Sequence, residues 1–186
     1  MNDIKKNEDG FTFNLSVWKD KKPISLCKEN DAKQICTNVK PGKGTKEASN
    51  YSFQYCGDRL TSEGILKISA KDFVKGKVKI TFILNSDTDD PNTLLGEYKF
   101  RWLHARLANP DLEYEGKGQR FDMVNWSKTV VSFYLDLTME VEDALWHVKQ
   151  AVELKFDVWV QHSYVEKGIA KIVKINCDPG VDIDPP

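Results

Sequence analysis

No stretch of this chain is apolar for long enough to span a membrane, and Asp3, Lys5, Lys6, Glu8 and Asp9 interrupt any apolar run after Met1. No spanning helix or signal peptide is therefore expected. The predicted compartment is the reducing cytosol, with secretion by a signal-independent route as the alternative. Cysteine is sparse for a disulfide scaffold, with Cys27, Cys36, Cys56 and Cys177 the only four in 186 residues. Their spacing matches no compact zinc pattern, and no histidine lies near the first three. A cytosolic chain should hold all four as free thiols, at least two of them buried as small hydrophobes. An excess of either charge is also missing, since 27 basic residues stand against 28 acidic ones. Nucleic acid held by bulk charge is therefore not an expected partner.

Signatures of catalysis are equally scarce. His104, His147 and His162 are the only histidines and include no His-x-x-x-His pair, and there is no Gly-x-Ser-x-Gly elbow. The fragment from Gly42 to Thr45 resembles part of a phosphate loop but lacks its spacer and the helix that should follow. No catalytic residue and no cofactor are assigned. A small hydrolase using histidine and carboxylate residues would need the three histidines to meet in space, with Asp157 or Glu153 orienting a ring.

What the chain does have is alternation. Apolar residues make 40% and charged residues 30%, a balance that folds without disulfides or metal at this length. Between Thr129 and Tyr164, Phe133, Leu135, Leu137, Met139 and Val141 occupy alternate positions, and Val152, Leu154, Phe156, Val158 and Val160 repeat the pattern. That is the period of strands with one face in a core. Between the two runs, Val141, Ala144, Leu145 and Val148 recur at three- and four-residue steps, which predicts a short amphipathic helix near 141-151. Earlier strands are read at Phe11 to Val17, Tyr51 to Tyr55, Val78 to Leu84 and Leu95 to Leu107, with a last one at Ile169 to Ile175.

Long crossover helices are absent, so the predicted fold is mainly β, an antiparallel β-sandwich, with a closed or partly closed β-barrel as the alternative. The expected organisation is a flexible N-terminus at 1-10, a single β-rich domain at 11-177 and an acidic C-terminal tail at 178-186. That tail ends in two prolines and is not expected inside a sheet.

The leading functional reading is a non-catalytic protein-binding or structural module that uses sheet edges or aromatic surface residues. Its partner would be another protein or a second copy of the chain. Trp18 and Trp159 alternate away from their neighbouring core positions and are the candidate interface anchors. Trp102, His104 and Arg106 alternate with Leu103 and are expected, with Phe100, on one strand face, where they would receive an anion against a flat apolar wall. The second reading is a carbohydrate-binding β-sandwich, with Trp126 or Tyr114 stacking on a sugar and Asn125, Asp111 or Gln119 satisfying hydroxyls. Asp87, Asp89 and Asp90 crowd into one loop and offer hard oxygen ligands to calcium, although their order is not that of an EF-hand.

Overall fold

The alternation turns into two facing sheets in a computed structural model that describes residues 10–20, 35–86, 97–107, 121–136 and 139–186. In chain order the strands are β1 (Phe11–Lys19), β2 (Ile35–Cys36), β3 (Lys40–Pro41), β4 (Lys43–Gly44), β5 (Tyr51–Gly57), β6 (Ile65–Ser69) and β7 (Lys77–Ser86). They continue with β8 (Glu97–Leu107), β9 (Phe121–Trp126), β10 (Val130–Asp136), β11 (Val152–Glu166), β12 (Ile169–Asn176) and β13 (Gly180–Asp184).

Sheet I runs β2-β5-β1-β7-β10-β9, with β3 also on β5, and sheet II runs β4-β12-β11-β13-β6, with β8 on β11. The arrangement is a sandwich and not a closed barrel. Pairing is antiparallel apart from two parallel contacts, β1 with β7 and β13 with β6.

Between the sheets, Phe13 stacks on Phe82 at 4.7 Å, and Phe82 meets Phe156 of sheet II at 5.8 Å. Phe133 closes the group at 6.0 Å from Phe156, and all four rings are fully buried. Full burial of one such ring is worth about 1.5–3 kcal/mol, so this cluster is a principal term in holding the sheets face to face. Tyr55 adds a polar tie, its hydroxyl donating to the Cys177 carbonyl across the core.

Three sequence expectations need correction. The acidic tail is not a tail: β13 lies between β11 and β6, with Val181 and Ile183 fully buried. Its acidic residues alternate outward, where Asp182 pairs with Lys67, so the net charge of the segment concealed a two-faced strand. Asp178 and Pro179 form the irregularity that separates β12 from β13, spanned by Cys177 N donating to Val158 O at 2.8 Å and Phe156 N to Pro179 O at 3.0 Å. Proline is thus tolerated beside β11 because it accepts there and has no donor to lose.

The short helix is present, and the second correction concerns the strand before it. A single α turn (α1, Met139–Glu142) passes into a π-helical segment at Asp143–Val148, so β10 stops at Asp136 and does not reach Val141. Val141, Ala144 and Leu145 are buried as expected, but Val148 is exposed. The wider π turn carries it off the apolar face, and Lys149 at φ 60° ends the segment.

The last expected strand is present as β12, whose residues Ile169 to Ile172 are exposed on both faces because the β11–β12 hairpin projects past the sandwich. Its two-residue turn, Lys167 and Gly168, has both φ values positive, at 50° and 77°, which suits a tight hairpin.

Lastly, four free thiols are not observed. Cys36 and Cys56 sit opposite each other in the β2–β5 pair and form a disulfide. Sequence spacing could not place them in register, and compartment is no guide to geometry. Cys177 is free and fully buried, a small hydrophobe as expected, while Cys27 lies outside the described residues.

Two outcomes test this architecture. Ile183→Ala should destabilise the chain by about 2–5 kcal/mol in urea unfolding, the range for a buried isoleucine, whereas a solvated tail would not respond. The bridge between Cys36 and Cys56 closes a loop of sequence separation 20, so reduction should cost about 3 kcal/mol. Titration of the unfolded, unreduced chain should then return no more than two thiols of the four.

Candidate interaction surface and buried histidine cluster

The face of sheet II that points away from the core is built by β8 and β11. Register pairs Trp102 with Trp159, His104 with Asp157 and Arg106 with Lys155, which sets Trp102, His104 and Arg106 at alternate positions of one face. Phe100 does not share it. The register shifts between Trp159 and Val160, with Arg101 the extra residue, so Tyr98 and Phe100 turn inward and are buried. A β-bulge inserts one residue and so reverses the phase of everything beyond it.

Trp102 is 61% exposed, the most open indole in the described structure. Trp159 beside it is half-buried, because the backbone of Gly44 lies on its ring. A Cβ at Gly44 would stand 2.9 Å from Cζ3 of that indole, and the residue has φ +119°, so glycine alone allows the approach. Further along the same outer face, Val165 and Ile172 are 50% and 64% exposed. The polar rim includes His104, whose Nδ1 is 3.8 Å from Asp157 Oδ2, an ion-pair distance and not a hydrogen bond. An anion approaching His104 would thus meet Asp157.

The remaining expected residues scatter. Trp18 is buried on β1 and offers no anchor, which removes it as an exposed interface residue. Trp126 is partly exposed on β9, but Asn125 beside it projects to the opposite face, so the two cannot flank one sugar. Asp87, Asp89, Asp90, Asp111, Tyr114 and Gln119 lie outside the described residues. No group of three or more His, Cys, Asp or Glu that could hold a metal occurs among the described residues.

His162 is the site residue that sequence reasoning missed. It continues the inward phase of Val152 to Val160 and so enters the core, where its Nδ1 lies 2.7 Å from the Tyr51 hydroxyl of sheet I. Its ring stacks on Tyr98 at 3.9 Å and Tyr164 at 4.7 Å, and Tyr51 meets it edge-on at 5.6 Å. Lys19 caps the group, 4.5 Å above the Tyr164 ring and 3.3 Å from its hydroxyl. Nε2 of His162 is buried with no hydrogen-bond partner among the described residues. Burial, helped by the charge of Lys19, lowers the His162 pKa to about 4, and burial likewise pushes the Tyr51 hydroxyl well above its ordinary value.

The three histidines do not converge. His162 faces the core, His104 the outer side of the same sheet, and His147 is exposed in the π-helical segment.

No protein-family model matches this chain, and no curated protein matches it. A solved structure of a DUF4785 family protein from Legionella pneumophila is similar over 76% of this chain and 34% of that one, at 13% identity and a TM-score of 0.32. The chain spans about a third of that protein's length.

The buried histidine makes acid stability testable. Its folded value of about 4 lies below the ordinary 6.5, so the unfolded chain takes up the proton more readily. The stabilisation is complete above pH 6.5 and is lost as pH falls through the window toward 4, by up to about 3 kcal/mol. Urea unfolding of the wild type should show this slope and His162→Gln should lack it; equal slopes would refute the assignment.

Proposed function

We propose that this chain is a non-catalytic protein-binding module whose partner docks on the outer face of sheet II, with Trp102 as the anchor. The observation that carries the reading is the exposure of Trp102 at 61%, beside Trp159 and in one sheet face with Val165 and Ile172. An exposed indole backed by a second one gives a large, rigid apolar contact at little entropic cost, which is the chemistry of an interface hot spot. Around it Lys155, Asp157 and His104 supply a mixed rim, suited to a polar protein surface and not to a single charge. Beyond Phe100, β8 pairs on one edge only among the described residues, so an extended segment of the partner has a backbone template beside the anchor.

The test is Trp102→Ala. Sedimentation across protein concentration reads self-association, and affinity capture followed by titration of the purified partner reads association with another protein. Loss of the anchor should weaken whichever complex forms by about 30-fold, a hot-spot loss of roughly 2 kcal/mol. A monomer at every concentration, together with identical captured proteins for wild type and variant, would defeat the proposal.

A further inference from the structure

On sheet I, away from the Trp102 face, a groove of about 460 Å³ is lined by Asp72, Val74, Lys75, Lys77, Lys79 and Tyr134. Its rim is built, since Val74 and Lys77 exchange backbone hydrogen bonds of 2.8 and 3.1 Å around the turn at Lys75 and Gly76. Both turn residues have positive φ, 51° and 74°, as a tight hairpin turn requires. Register sets Lys79 opposite Tyr134 and Lys77 opposite Asp136.

The acidic groups here are already engaged. Asp72 is held by Arg59 at 2.8 Å and by the backbone N–H of Ser69, and Asp136 by Lys77 at 3.3 Å. Glu142 approaches the turn, its Oε1 standing 3.7 Å from where a Cβ on Gly76 would be. Among the described residues, Lys75 and Lys79 therefore keep ammonium groups with no acidic partner at the groove, and Tyr134, 37% exposed, adds a hydroxyl and an aromatic wall.

We propose that this groove binds an acidic, extended segment of a partner protein. The two lysines left open, Lys75 and Lys79, lie on either side of the Lys77–Asp136 pair in the chain, so a ligand that meets both has to carry carboxylates at more than one point along its length, as an acidic peptide does. Lysine is a compact point charge that accepts a carboxylate without demanding the two-pronged geometry of arginine with phosphate. The apolar wall of Val74 and Tyr134 suits the stems of glutamate side chains more than bare phosphate.

A fluorescein-labelled hexaglutamate peptide, followed by anisotropy, is the probe. It should bind saturably, weaken as salt is raised, and bind Lys75→Gln/Lys79→Gln about tenfold more weakly. Lys75→Arg/Lys79→Arg should retain binding and shows that charge, not fold, is read. Trp102→Ala should bind the peptide as the wild type does, which separates this site from the one on sheet II. No saturable binding, equal binding by the glutamine variant, or binding of tripolyphosphate in place of the peptide would each overturn the proposal.

Discussion

The packing of Phe82 and Phe133 against Phe156, with Phe13 stacked on Phe82 behind them, is the interaction on which the rest of the molecule depends. It joins sheets that share no continuous hydrogen-bonded ladder, so the relative placement of every surface residue on β8, β11 and β7 follows from it. Because packed rings interdigitate at near-crystalline density, the contact tolerates little sliding. Tyr55 reinforces the same placement with a directional bond to Cys177. The long β11 then converts this registration into a surface: its inward residues meet sheet I and its outward ones carry Trp159 and Asp157.

A second contact between the sheets has a different character. Where the phenylalanine cluster is wholly apolar, the Tyr51–His162 pair is polar, stacked between two tyrosines and capped by a lysine. It holds only while the imidazole is neutral, since a buried imidazolium would face desolvation and the nearby ammonium of Lys19. One end of the sandwich is therefore sensitive to acid while the phenylalanine centre is not.

The two candidate binding surfaces lie on opposite sides of this core and differ in chemistry. Sheet II presents indoles and aliphatic side chains, and sheet I presents lysines around a phenol. Among the described residues, neither brings together the nucleophile, base and orienting group that acyl-transfer chemistry uses. His104 and His162, on opposite faces of one sheet, illustrate why residue counting alone could not decide the question.

Much of the architecture was legible in the chain by itself. Alternation in Phe11 to Val17, Tyr51 to Tyr55, Val78 to Leu84 and Val152 to Val160 names strands and their buried faces, because a strand's side-chain period is a local property. The same rule places Trp102 and His104 together, and extended by one step it would have put His162 in the core. Only tertiary structure decided what depends on partners distant in sequence: the bulge at Arg101 that turned Phe100 away, the burial of Trp18, the docking of β13 between β11 and β6, and the meeting of Cys36 with Cys56. Register, bulges and covering layers arise from contacts between segments, and periodicity within one segment carries no record of them.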